Sequence, residues 1–200
     1  MLQSRCPRQS QRLPPSPPPE LNVAQPAPSS DSAAVWHQLR QADAQLYVVL
    51  LRHALAPGTG DPSNFRLGDC GTQRNLSAEG REQARQIGAA FRQQGIPVVK
   101  VLSSQWCRCL ETAELMDLGP VEPFPALNSF FNDRSTATRQ TTEVQTYLRQ
   151  QPARGVIVMV THQVNITALT DKVPASGEAV VLRQTAIGEL VPVGALDPLN

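Results

Sequence analysis

The chain has 200 residues, 18 basic against 17 acidic side chains and 40% hydrophobic residues, which suits one domain with a complete core plus a tail. Its near-neutral balance and few aromatics argue against a general nucleic-acid binder, whose affinity rests on excess positive charge. No apolar run approaches the roughly 20 residues that span a bilayer as a helix.

Eight of the eighteen prolines fall within the first thirty residues, clustered at Pro14-Pro15-Ser16-Pro17-Pro18-Pro19 among Ser and Gln. Residues 1–30 therefore read as a disordered Pro-rich tail or spacer, a polyproline ligand being the other reading, and residues 31–200 as a single domain. The tail lacks the unbroken apolar stretch of a secretory signal, so a cytoplasmic placement is expected, and export requires a start upstream. From Asp31 onward, Val35, Trp36, Leu39 and Ala42 form a helical stripe; His37 on that helix reads as a surface residue. Leu46-Tyr47-Val48-Val49-Leu50-Leu51 has the make-up of a buried strand and ends in Arg52-His53 before a Gly- and Asp-rich loop, residues 54–76, that carries Arg66 and Arg74.

Ser77 reads as an N-cap, followed by Ala84, Ile87, Gly88 and Phe91 at helical spacing, with Gly95 and Pro97 as stop signals. A second strand, residues 98–102, ends in Ser103-Ser104 and leads into a helix carrying Arg108, Thr112, Ala113 and Leu115, which the Pro and Gly residues of 119–125 end. Residues 138–150 predict another helix and residues 156–160 a third buried strand ending in Thr161-His162. The apolar runs 179–182 and 187–193 can add strands at one side, in antiparallel orientation. Sixteen of the eighteen basic residues are Arg, which codon bias explains more simply than phosphate recognition does.

The four cysteines, Cys6, Cys70, Cys107 and Cys109, do not decide the redox compartment. Cys107 and Cys109 are too close in sequence to share a helix face, zinc would need more ligands at recognisable spacing, and no Cys and Arg are spaced as a cysteine-phosphatase loop requires. The cysteines read as structural thiols. The glycine-lysine pattern of a nucleotide-binding P-loop is absent too.

Three apolar strands thus alternate with helices, and each ends in polar residues: Arg52-His53, Ser103-Ser104 leading to Arg108, and Thr161-His162. Alternation implies an α/β domain with a largely parallel sheet, and ligands bind outside the carboxyl ends of such strands. Two guanidinium forks matched to phosphate oxygens and two imidazoles that can act as nucleophile or proton carrier would meet there.

These residues resemble the histidine phosphatase superfamily, the phosphoglycerate mutase-like fold. Its hallmark strand ending, Leu-x-Arg-His-Gly, is matched by Leu50-Leu51-Arg52-His53-Ala54, with alanine in place of the usual glycine. Its next segment is matched by Asn75-Leu76-Ser77-Ala78-Glu79-Gly80-Arg81-Glu82-Gln83-Ala84. Its Ser-Ser-x-x-x-Arg-x-x-x-Thr-Ala is matched by Ser103-Ser104 through Arg108 to Thr112-Ala113, and its second histidine by Val158-Met159-Val160-Thr161-His162. The resemblance spans residues 46–193 with the motifs in order.

It implies a three-layer α/β/α sandwich with a mostly parallel central sheet, and a phosphatase of the small branch. Hydrolysis would pass through a phosphohistidine on His53, with Arg52, Arg108 and His162 holding the equatorial oxygens and Asn75 also in contact with substrate. Asp133, in Asn128-Ser129-Phe130-Phe131-Asn132-Asp133-Arg134, is the candidate acid, since Gln163 occupies the position where one family branch has Asp. No metal or other cofactor is expected, because arginines supply the positive charge. The partner is a phosphorylated small molecule or phosphoprotein, without nucleic acid. A phosphoglycerate mutase-like phosphotransferase, or a phosphate-binding module without catalysis, are the alternatives.

Overall fold

A computed structural model describes residues 30–200; the Pro-rich tail lies outside them except for Ser30, which opens the first helix. The elements run α1 (Ser30–Arg40), β1 (Leu46–Arg52), α2 (Ala78–Gln93), β2 (Val98–Ser103), α3 (Cys107–Met116), β3 (Val121–Pro123), α4 (Ala137–Arg149), β4 (Gly155–Thr161), α5 (Gln163–Thr170), β5 (Ala179–Gln184) and β6 (Leu190–Leu196). The six strands form one sheet in the order β3-β2-β4-β1-β5-β6. The first four are mutually parallel, while β5 pairs antiparallel to both β1 and β6.

The strands at the centre are apolar throughout because both faces are covered. In β1, Tyr47, Val49 and Leu51 face one core layer, where they meet Trp36 and Leu39 of α1, Ile87 and Phe91 of α2, and Met116 of α3. The alternate residues Leu46, Val48 and Leu50 face a second layer with Val144 and Leu148 of α4 and Ile166 of α5. This period-two division of one strand between two cores produces the α/β/α sandwich. Helix α2 approaches its neighbours through two glycines: a Cβ on Gly88 would stand 1.9 Å from the Met116 carbonyl oxygen, and one on Gly80 would stand 2.0 Å from that of Leu55. Ser77 caps α2 by accepting a 3.0 Å hydrogen bond from the Gly80 amide.

Three features depart from the sequence expectations. The Gly119–Pro125 stretch, read as helix termination, also contains β3, a three-residue edge strand paired to β2; it is too short and too proline-bounded to show a period. Helix α5 was hidden because its polar and apolar residues largely alternate, a strand-like pattern that packing against β1 and α4 overrides. Cys70 and Cys107 are not free thiols: they form a disulfide, with Cα atoms 5.7 Å apart, between the 54–76 loop and the start of α3. Sequence spacing carries no sign of this contact, which depends on how the loop folds back.

Candidate active site

The parallel strands deliver their polar endings to one edge. Residues Arg52 and His53 at the end of β1, Arg108 on α3 and His162 after β4 line a single cavity of about 250 Å³. β1 and β4 are in register from Leu46 with Gly155 to Arg52 with Thr161, so the two histidines follow immediately on neighbouring strands. Their rings lie 5.5 Å apart, edge to face.

His53 is buried, and its Nδ1 lies 2.8 Å from the carbonyl oxygen of Ala54. A carbonyl only accepts, so Nδ1 carries the proton and donates it, leaving Nε2 with a free lone pair. Burial, opposed by this hydrogen bond and reinforced by the charges of Arg108, Arg74 and Arg52, pushes the His53 pKa down to about 3. The ring is therefore a neutral base at any ordinary pH.

His162 is held at both nitrogens. Its Nε2 is 2.9 Å from Ser104 Oγ and its Nδ1 is 3.4 Å from an Arg108 terminal nitrogen. Arginine can only donate, so Nδ1 is the acceptor and Nε2–H donates to Ser104. Burial and the neighbouring Arg108 charge lower the His162 pKa well below its usual value, which keeps this ring neutral too. Ser104 is itself fixed, accepting from the Trp106 amide and donating to Asn128 Oδ1.

The arginines leave unsatisfied donors. Arg52 donates from one terminal nitrogen to the Pro174 carbonyl at 2.9 Å, yet its Nε is buried without a partner, as is the Nε of Arg108. Buried donors without acceptors are costly, and two on guanidinium groups lining one cavity fit an anion with several oxygens. Among the described residues, no group of three or more His, Cys, Asp or Glu side chains comes together as a metal cluster would require.

Asp133 also lines this cavity, at its exposed rim. Its carboxylate accepts from the Ser135 hydroxyl at 2.6 Å and the Ser135 amide at 3.0 Å, and these bonds hold its pKa below the ordinary value. Asn75 does not line the cavity; its amide nitrogen donates to the Cys70 carbonyl at 2.7 Å and braces the loop instead.

Several residues of the cavity were not assigned to the site from the sequence, although Arg74 was noted in its loop. Asp61 and Arg74 come from the 54–76 loop, and Trp106 and Phe65 form a stacked pair, centroids 4.9 Å apart, on the cavity wall. Burial alone would raise the Asp61 pKa, but hydrogen bonds and charge from Arg108, with the Arg74 amide and Trp106 indole, hold it below the usual carboxylate value. Asp61 is thus an ionised acceptor. Gly58 and Gly60, both at positive φ, mark where the loop turns into the site and were the available signal.

Residues 48–131 match the sequence model of the histidine phosphatase superfamily, branch 1. No curated protein sequence matches the chain. Among solved structures, the protein histidine phosphatase SixA complexed with tungstate is similar, with a TM-score of 0.55 and 15% identity over 76% of this chain and 97% of that one. Phosphoserine phosphatase from Entamoeba histolytica, in complex with 3-phosphoglyceric acid, gives a TM-score of 0.56 at 11% identity over 76% and 97% of the two chains. The product of open reading frame Rv3214 from Mycobacterium tuberculosis gives 0.56 at 14% identity, over 73% and 94%. At these identities the likeness is one of fold. The four motifs in order and the match over residues 48–131 agree with the resemblance to the histidine phosphatase superfamily, and the solved structures share its fold.

Proposed function

We propose that the protein is a phosphatase that hydrolyses a phosphorylated substrate through a phosphohistidine on His53. The observation that carries this reading is the state of that ring: neutral, proton fixed on Nδ1 by the Ala54 carbonyl, Nε2 unprotonated, in a cavity lined by three guanidinium groups. The Nε2 lone pair forms the N–P bond as the P–O bond to the leaving group breaks, and the leaving oxygen departs with that electron pair. Water then attacks phosphorus, the N–P bond breaks with its electrons returning to His53, and inorganic phosphate is released. Fixed donors around the transferring group stabilise its charge without reorganisation.

Arg52, Arg108 and His162 surround the phosphoryl group in this reading, and arginine supplies the charge that a metal supplies elsewhere. Activity should therefore persist in excess chelator. Asp61 is ionised and held by donors, so it is not the proton source. Asp133, ionised at the rim, is the remaining carboxylate, and a substrate whose leaving group needs little protonation suits such a site. A phosphoprotein, acyl phosphate or pyrophosphate substrate fits this better than a simple alkyl phosphate. The Cys70–Cys107 disulfide favours an oxidising compartment over a cytoplasmic placement.

The test is a reaction with a labelled phosphoryl donor quenched in alkaline detergent, with part of each sample then acidified. Wild type should trap an acid-labile, alkali-stable phosphoenzyme that His53→Ala lacks, and only wild type should release phosphate. Equal labelling of both proteins, or none of either, would sink the proposal.

A further inference from the structure

We infer that Asp61 is a positioning residue: it occupies the terminal fork of Arg108, so that Arg108 meets the phosphoryl group through Nε–H instead. The inference rests on the phosphatase reading of the site. Arg108 has four terminal N–H groups and four acceptors for them. One terminal nitrogen bonds Asp61 Oδ1 at 2.7 Å and the Arg74 carbonyl at 3.2 Å. The other bonds Asp61 Oδ2 at 3.1 Å and His162 Nδ1 at 3.4 Å. Its Nε–H alone has no partner, although the side chain is only 3% exposed.

Asp61 is equally committed. Its side chain is 7% exposed and accepts from the Trp106 indole at 3.0 Å and the Arg74 amide at 3.1 Å besides the two Arg108 bonds. Four charge-assisted or buried bonds on one carboxylate make a poor leaving partner, so the substrate does not displace it. The anion is left the orphaned edges, Arg108 Nε–H and Arg52 Nε–H.

Two chemical consequences follow. The carboxylate opposes part of the charge of Arg52, Arg74 and Arg108, bringing the cavity closer to balance with a dianionic phosphoryl group. It also denies phosphate the bidentate fork, the strongest ground-state grip arginine offers. Binding ground state and product too tightly gains nothing in turnover; Asp61 limits that grip while keeping Arg108 aligned.

The experiment measures inorganic phosphate binding by calorimetry and turnover of a phosphate monoester for wild type, Asp61→Asn and Asp61→Glu. Asn is isosteric but neutral and frees the fork. It should bind phosphate more tightly, by about threefold or more, while kcat falls about tenfold or more. A merely structural loss would weaken binding and turnover together. Asp61→Glu restores the carboxylate and should return phosphate affinity to within about twofold of wild type. Unchanged or weaker phosphate binding by Asp61→Asn, or an unchanged kcat, overturns the inference.

Arginine-labelled wild type supplies a measurement that needs no variant to fold: phosphate titration should move the Arg108 Nε–H proton resonance downfield, and an unmoved resonance also overturns the inference. If wild type shows neither phosphate binding nor a His53 phosphoenzyme, the phosphatase reading fails and this inference with it. If both are present and Asp61→Asn does not tighten binding, only the role of Asp61 falls.

Discussion

Ser104 and His162, 58 positions apart in sequence, meet at 2.9 Å between Oγ and Nε2, and this contact fixes the tautomer of the second imidazole. With Arg108 donating to Nδ1, the Nε2 proton has Ser104 as its main acceptor. Cys109 Sγ lies 3.5 Å from the same nitrogen, but burial pushes its thiol pKa up to about 12, and a neutral thiol accepts weakly. Ser104→Ala should leave the fold intact and lower kcat/KM about tenfold, near 1.4 kcal/mol, through a ring no longer held in one tautomer. Steady-state kinetics of the variant check this; an unaltered kcat/KM would show that the hydroxyl is dispensable.

Acid should unfold the protein through its histidines. His53 is pushed down to about 3 and His162 is lowered as well, both first of all by burial. In the unfolded chain they titrate near pH 6.5. Above that value neither state is protonated and stability is complete. As pH falls from 6.5 toward 3 the unfolded state takes up protons that the native state refuses, so stability declines by up to about 1.4 kcal/mol per pH unit for each ring. The depressed Asp61 carboxyl adds loss only at the acidic end, below its unfolded value near 3.9. Thermal melts from pH 7 to pH 4 should show a falling Tm, with a shallower slope in His53→Ala; parallel slopes would contradict the assignment.

Two glycine substitutions separate stability from chemistry. Gly88→Ala drives a Cβ into the Met116 carbonyl, where backbone on both sides cannot yield. It should cost about 2 kcal/mol or more through overpacking while the folded fraction keeps its kcat. Gly80→Ala drives a Cβ into the Leu55 carbonyl, two residues beyond His53, and should lower kcat as well as stability. Denaturant unfolding paired with active-site-normalised rates distinguishes them.

The disulfide closes a segment with a sequence separation of 37, for which chain entropy predicts a contribution of roughly 3 to 4 kcal/mol. Cys70→Ser should lower the denaturation midpoint accordingly. It should also raise KM, since the loop it anchors carries Asp61 and Arg74. Treatment of wild type with a dithiol should reproduce both effects and leave the variant unchanged. A variant as stable as wild type would show that the loop is held by its hydrogen bonds alone.

The parts of this fold visible in the sequence were those written locally. β1 and β4 announce themselves as apolar runs because both faces are buried, and their register brings Arg52-His53 and Thr161-His162 to one edge without any further information. Ser77 caps its helix as the pattern required. What stayed hidden was made by distant contacts. Asp61 is an ordinary loop aspartate until the chain returns Arg108 and Trp106 to it, and Asn75 lies within a recognisable motif yet turns its amide to Cys70. The disulfide depends on the same loop path, and α5 on tertiary packing against a strand-like pattern.

Both margins of the sheet carry a proline. β3 ends after three residues at Pro123, and β6, at the opposite margin, is interrupted at Pro192 beside a shift in its pairing with β5. Proline presents no N–H, and a short or bulged margin offers no continuous ladder for another strand. The sheet that aligns the cavity-lining strand ends is thereby guarded against extension by a second copy of itself, and the edge that bears the cavity can remain open while the lateral edges resist aggregation.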